Sequence, residues 1–589
     1  MRVTFELLSI LLIVPLAMLA RPSRAVRRLV RPFALLARRR WLAVVVVGLA
    51  ATAGSVVTTL AHGWPGPNMQ DEYSYLLMAD TFAHGRLTNP PHPLWPHFET
   101  FQIIQQPTYA SKYPPAQGLA LAGGQLLAGQ PIVGVWLSLG LACGAICWML
   151  QGWLPPRWAL LGASLMAVRL VFSRHMIFDG DMTWGYWSRG YCGGAMAALG
   201  GALLFGALRR LLRRCRAVHA VVLGLGLALL ANSRPFEGLI VSLPATAVLL
   251  AFLIGRGRPP LAVSLGRVLL PLAAVLAFTV GMMALYNLRV TGDPLRLPYQ
   301  VHEATYAANP LFVWQPLGAP PESRHPVIAN FWTGWVRDLY HEHQSLRGFL
   351  TLSMVKVAQI AGFYLGLWLL LAALNLRPAL RDRWTRFALV TCGLLVVMLL
   401  QLYCYTPHYA APMTCLLAFL AMQGLRQVRL WRWSSRPVGR ALISGLVVAY
   451  PVLAVASMLA DSGTPPDATH VQRAALLARL QQDEERHIVV VRYLRPAPRG
   501  LGHEDWVFNE ADIDSARVVW AREMNPDEDR RLLAYFADRR AWLLEVEADK
   551  RTYRLLPHPL REKANEGYTP GAEPGLRASA AVPGGQGSE

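Results

Sequence analysis

About twelve stretches long and apolar enough to cross a bilayer recur along this chain. They fall at roughly 3–20, 41–61, 131–150, 157–173, 190–208, 217–232, 238–255, 266–287, 351–375, 387–405, 409–425 and 441–460. A hydrocarbon core takes roughly 20 apolar residues per helix, since nothing inside it can satisfy a free backbone amide or carbonyl. A chain with so many such stretches is restricted to an all-α polytopic membrane fold. Composition agrees: of 589 residues, 54% are hydrophobic and only 16% charged, with a mean hydropathy of +0.31. The run at 3–20 follows only Met1-Arg2 and precedes dense arginine. A signal anchor, a first span running inward and a mis-assigned start are all compatible with it.

The formal charge of +21 points away from nucleic acid because of where it sits. Basic residues crowd into the short connections "RPSRAVRRLVRPFALLARRR" (21–40), "RRLLRRCR" (209–216), "RGR" (256–258), "RPALRDRWTR" (377–386) and "RQVRLWRWSSRPVGR" (426–440), all nearly free of acids. Such clusters mark cytoplasmic loops and can touch anionic membrane lipids. Alternation from 21–40 then puts 62–130, 174–189, 233–237, 288–350, 406–408 and everything past 460 on the extracytoplasmic side. The seven cysteines lie in or beside apolar spans without a paired or metal-type spacing, and read as small packing residues.

Polar and aromatic residues concentrate on that extracytoplasmic face. Asp71 and Glu72, in "NMQDEYSYLLMAD", are the first acids since Glu6 and stand where the chain leaves the bilayer. Neighbours on a helix point about 100° apart, so one carboxylate could serve as general base to an acceptor hydroxyl while the other helps hold a divalent cation. The plainer alternative is that both favour a helix dipole. Lys112, in "YASKYPPAQG", is one of four lysines among 57 basic side chains. A compact ammonium at the membrane edge suits a phosphate, or simply snorkels there. Pro114-Pro115 suit the first turn of the helix that follows.

Other groups stay open between two readings. Asp179 and Asp181 have a D-x-D spacing, yet lie between two spans and so read as a second carboxylate contribution to an outer site. Trp184, Tyr186, Trp187 and Tyr191 form either an interfacial belt or a sugar-stacking surface. Arg234 and Glu237, in "NSRPFEG", pair with each other or present the arginine to a lipid phosphate. His408 and Tyr409, in "YTPHYAAP", are structural hydrogen-bonders or part of a site. Lys356 lies within a span and snorkels or serves a function. Neither a GxxxxGK[ST] loop nor a GxGxxG fingerprint is present, so no nucleotide cofactor is expected. HExxH and GxSxG are missing as well, which weakens protease and esterase readings. An extracytoplasmic enzyme without nucleotide machinery needs a donor delivered in the membrane.

The order of an acidic pair after an early span, an aromatic-rich segment and Lys-x-Pro-Pro leading into a helix resembles the GT-C glycosyltransferases. Within them it is most similar to the family 39 and aminoarabinose-transferase type. The likeness is specific over about 68–125, with span count and topology supporting it to about 425. It implies a multi-span bundle with juxtamembrane helices, and inverting transfer of a sugar from a polyprenyl-phosphate carrier to an extracytoplasmic acceptor. It implies that Asp71, with Glu72, is catalytic or metal-linked, with Asp179 or Asp181 as a second acid. Lys112 would lie near the donor phosphate, with Tyr113 and Arg234 beside it. Tyr75, Tyr109, Trp184, Glu237, His408 and Tyr409 would line the substrate. The chain departs from the pattern in two places: Tyr113 intervenes in Lys-Tyr-Pro-Pro, and Ser74 stands where the aminoarabinose enzymes carry an arginine.

The expected organisation is a GT-C-like transmembrane domain over 1–460, a small extracytoplasmic α/β domain over 461–562 and a disordered tail over 563–589. Strands at 487–494 and 516–521, the segment 541–547, and helices at 470–485 and 526–538 carry the α/β expectation. Magnesium or manganese is compatible with the acids; no nucleotide or nucleic acid partner is expected. A lipid or polysaccharide transporter, and an O-antigen polymerase or ligase-like enzyme, are the rival readings. The first would need mid-membrane charges, and the second would rest on outer arginines and histidine.

Overall fold

In the computed structural model, the described residues are 24–176, 182–307, 309–373, 375–432, 436–460, 468–495, 505–547 and 551–561. The run at 3–20, the tail 563–589, and Asp179 with Asp181 lie outside them. The other eleven apolar windows are helical. Eight reach spanning length and hydropathy among the described residues: Arg40–His62, Pro131–Trp153, Gly194–Leu211, Pro235–Ile254, Leu261–Thr291, Leu346–Leu365, Arg383–Leu400 and Val438–Leu459. The windows at 157–173, 217–232 and 409–425 form shorter helices of 16, 15 and 15 residues. The chain is a multi-pass membrane protein.

Lipid-facing helices gain nothing from moving one apolar surface against another, so close packing through small residues holds them together. Gly201 is one such contact: a methyl there would overlap the Pro412 carbonyl oxygen. Gly424 is another, set against the carbonyl of Ala372. One end of the bundle carries the arginines. Arg210 lies 3.9 Å over the Trp148 ring and donates to the Trp148 carbonyl at 2.6 Å, while Arg209 covers Trp384 at 4.2 Å.

At the other end, the loop after His62 forms the helix Gln70–Ala83 and a two-residue ladder pairing Ile103-Ile104 with Ala110-Ser111. It then enters the helix Ala116–Ala128. Over this loop sits a four-stranded sheet of β1 (His487–Arg495), β2 (Val518–Arg522), β3 (Arg540–Glu547) and β4 (Thr552–Pro557) in the order β2-β1-β3-β4. β1 runs parallel to β2 and β3, and β4 is antiparallel to β3. Helices Thr469–Gln482 and Pro526–Tyr535 accompany it.

The sheet and the loop share one apolar core, with Leu77, Phe98, Ile103 and Tyr109 packed against Ile488, Val490, Phe508 and Phe536. A buried polar network crosses the same seam. Arg522 pairs with Asp505 at 2.5 Å, Thr100 donates to Asp505 at 2.6 Å, and Arg522 Nε donates to the Glu99 carbonyl at 2.5 Å. Asp80, on the helix Gln70–Ala83, accepts from the Ala511 amide at 2.8 Å. The C-terminal region thus braces the helix that begins with the acidic pair.

Candidate active site

The acidic pair divides as helix geometry requires. Glu72 is buried, and its carboxylate accepts from the amides of Asn68 at 2.8 Å and Tyr191 at 2.6 Å. It ties the start of its helix to the segment after 185, and burial pushes its pKa up to about 7. Both oxygens of Glu72 are thus taken up by backbone amides. Asp71 faces a cavity of about 340 Å³, which Glu72 does not border, and accepts a hydrogen bond from the Tyr113 hydroxyl.

Tyr113 is fixed by stacking on Tyr75, with ring centroids 4.6 Å apart, and its amide donates to Ser111 Oγ at 3.2 Å. Ser111 in turn meets Ser74 at 2.7 Å, and Ser74 donates to the Gln102 carbonyl at 2.6 Å. The serine that replaces the expected arginine therefore anchors the small ladder that carries Lys112 and Tyr113. Pro115 stands at the N-cap position, directly before the first turn that the sequence suggested for the diproline. The amide of Ala116 donates to the Asn232 carbonyl at 2.9 Å, which brings the short hairpin carrying Arg234 to the same place.

Lys112 does line the cavity, but it is already partnered. Its ammonium lies 3.2 Å from Glu303 and over the rings of Tyr299 at 4.8 Å and Trp332 at 5.2 Å. Burial alone would raise the pKa of Glu303; Lys112 and the neighbouring His302 outweigh it and bring the group down to about 2. His302, 3.5 Å from that carboxylate, is pushed down to about 4 by its burial and by Lys112. Arg234 differs: among the described residues it makes no ion pair, and its guanidinium lies 4.4 Å over the Tyr409 ring. Glu237 borders the cavity from the first turn of the helix Pro235–Ile254 without closing a salt bridge to Arg234. Of the sequence candidates, Asp71, Lys112, Tyr113, Arg234, Glu237 and Tyr409 all border this one space.

Among the described residues, other candidates do not border it. Tyr75 backs Tyr113 from behind. The Tyr109 hydroxyl donates to the Asn509 carbonyl at 3.1 Å, in the seam with the sheet region. His408 is buried and hydrogen-bonded to Tyr186 at 2.6 Å. Tyr186, Trp187 and Tyr191 are buried too, so they form neither a belt nor an open stacking surface. Trp184 is the last residue of a short strand.

Glu303, Tyr299 and Trp332 went unmarked in the sequence. Their one common signal is a place in the long loop 288–350, which also holds four other acids. As for a metal, a hard cation takes six or more oxygen ligands, and of the acidic pair only Asp71 faces the cavity. Among the described residues no group of three or more His, Cys, Asp or Glu is gathered for one. The described residues do not by themselves make a metal site.

No family model matches the chain, and no curated protein does. Among solved structures, it is similar to the apo Archaeoglobus fulgidus oligosaccharyltransferase. That likeness has a TM-score of 0.46 at 13% identity, over 85% of this chain and 69% of that one. It is also similar to the same archaeal enzyme, AglB, in complex with an inhibitory peptide and a dolichol-phosphate. There the TM-score is 0.44 at 12% identity, over 85% and 69%. ArnT from Cupriavidus metallidurans in the apo state gives a TM-score of 0.44 at 14% identity, over 89% of this chain and 94% of that one. Likeness at this level bears on no residue of the site.

Proposed function

We propose that the chain is an integral membrane glycosyltransferase that moves a sugar from a polyprenyl-phosphate carrier to an extracytoplasmic acceptor. The observation that carries this reading is one cavity bordered by a held carboxylate, a guanidinium that closes no ion pair among the described residues, and apolar side chains. Phe236, Met283, Leu311 and Met398 are among those side chains, and Phe236 is 45% exposed on the bundle surface. A ligand with an anionic head and a long apolar tail fits such a place.

In the proposed step, the acceptor hydroxyl attacks the anomeric carbon of the donor. The bond from that carbon to the phosphate oxygen breaks, and its electron pair leaves with the polyprenyl phosphate. Asp71 orients the hydroxyl and takes its proton. Arg234 meets the charge that develops on the leaving phosphate, and a bidentate guanidinium suits it. Lys112 reinforces the same field while its charge is balanced by Glu303. A single displacement of this kind inverts the anomeric carbon. Other rings that border the cavity, Trp335 and Tyr403 among them, offer stacking surface for the sugar.

Transfer from purified undecaprenyl-phosphate sugars in proteoliposomes tests the reading. Asp71→Asn is expected to lower turnover about 10²–10⁴-fold while the protein stays folded. Full turnover in Asp71→Asn, or no consumption of any lipid-linked sugar by the wild type, would refute it.

A further inference from the structure

At the arginine-rich end, Arg38, Arg157, Arg426 and Arg429 border one open concavity together with Trp158 and Leu430. The four come from distant parts of the chain: the end of the helix Arg24–Arg38, the start of Pro156–Val171, and the end of Thr414–Val428 with the turn after it. The sidedness of basic loops requires only that arginines stay on this side of the bilayer. It gives no reason for four of them to surround the same space. Among the described residues none of the four closes an ion pair, and no carboxylate borders the concavity. Arg426 has only an amide partner, donating to Gln423 Oε1 at 2.7 Å. Like charges gathered without a counter-charge repel one another until an anion joins them.

Depth gives a second, independent observation. Trp41 is 72% exposed at the start of the helix Arg40–His62, and Trp431 is 48% exposed just past Leu430, itself 71% exposed. Tryptophans at helix ends sit at headgroup level. The concavity therefore combines guanidiniums with exposed apolar side chains at the depth where lipid phosphates lie.

We propose that this concavity binds the phosphate headgroup of an anionic phospholipid. Planar guanidiniums match phosphate oxygens in pairs, and Leu430 with Trp158 meets the apolar part below. Inorganic phosphate shares the head chemistry but has no use for that apolar floor.

Native mass spectrometry of the purified full-length protein, offered phosphatidylglycerol or phosphatidylcholine with and without millimolar inorganic phosphate, tests the assignment. The wild type is expected to retain phosphatidylglycerol about tenfold over phosphatidylcholine. Arg157→Gln with Arg429→Gln is expected to abolish that preference, and Arg256→Gln with Arg258→Gln, the same charge change in another basic loop, to leave it. Should the double variant fail to fold, Arg157→Lys and Arg429→Lys, which keep the charge and lose the planar fork, must each weaken retention. Displacement of the lipid by inorganic phosphate, with the preference still lost in the Arg157/Arg429 variant, would uphold the phosphate site and assign it to a soluble anion. Equal retention in both double variants would overturn the proposal.

Discussion

At the scale of single residues, the charged groups in the cavity do different jobs because their partners differ. Tyr113 is the only side-chain partner of Asp71 among the described hydrogen bonds. Tyr113→Phe is expected to lower turnover by roughly 10- to 100-fold, the worth of a hydrogen bond to a charged group, with little change in KM for the lipid donor. The Lys112–Glu303 pair is buried, so either single exchange leaves an uncompensated charge and costs about 3–5 kcal/mol. Thermal unfolding of Lys112→Met, Glu303→Gln and the double variant should show the double losing clearly less than the sum. Glu72 gives a pH signature. Its pKa in the fold, about 7 against a reference of 4.5, is raised, so its contribution is complete below pH 4.5 and disappears as pH rises to 7 and beyond. Glu72→Gln should therefore flatten the fall in melting temperature across that window. Glu303 acts in the opposite sense: its contribution is present above the usual carboxylate range and is lost as pH falls towards 2.

At the scale of elements, the brace between the sheet region and the first long loop should be separable from the site chemistry. Asp505→Asn weakens its pair with Arg522 and its acceptance from Thr100 and Tyr493. Hydrogen exchange is expected to rise over 97–111 and 505–522 while the bundle helices stay protected; unchanged exchange at 97–111 would mean the brace holds nothing. Elements with a strong local signal were readable in the sequence. Apolar windows became helices because the bilayer leaves the backbone no other choice, and the diproline came to rest at a helix start because its ring fits there. Strands β1 and β2 were readable as apolar runs, whereas β4, "TYRLLP", alternates too weakly to stand out. The partnership of Lys112 with Glu303, 191 residues apart, has no local signal at all, since a contact between loops is made by tertiary packing. The same holds for the turning of Glu72 towards Tyr191, although helix geometry did anticipate that Asp71 and Glu72 would part. Lys356, the one hint of a transport pathway, instead reaches His343 at 3.0 Å and the carbonyl of Leu400 at 3.4 Å, near the end of the helix Arg383–Leu400.

At the scale of the whole molecule, the arginines and the cavity occupy opposite ends of the bundle. In the proposed function, a lipid donor that slides between the helices meets the cavity at one membrane surface, and an acceptor reaches it from water. Binding and chemistry are then assigned to different residues. The most direct measurement is the binding of sugar-free undecaprenyl phosphate to purified wild type, Arg234→Gln and Asp71→Asn protein, set beside their transfer rates. Arg234→Gln is expected to lose affinity about 10-fold or more, and Asp71→Asn to keep affinity while losing transfer. Undiminished binding in Arg234→Gln, or loss of binding and transfer together in a folded Asp71→Asn, would contradict that assignment.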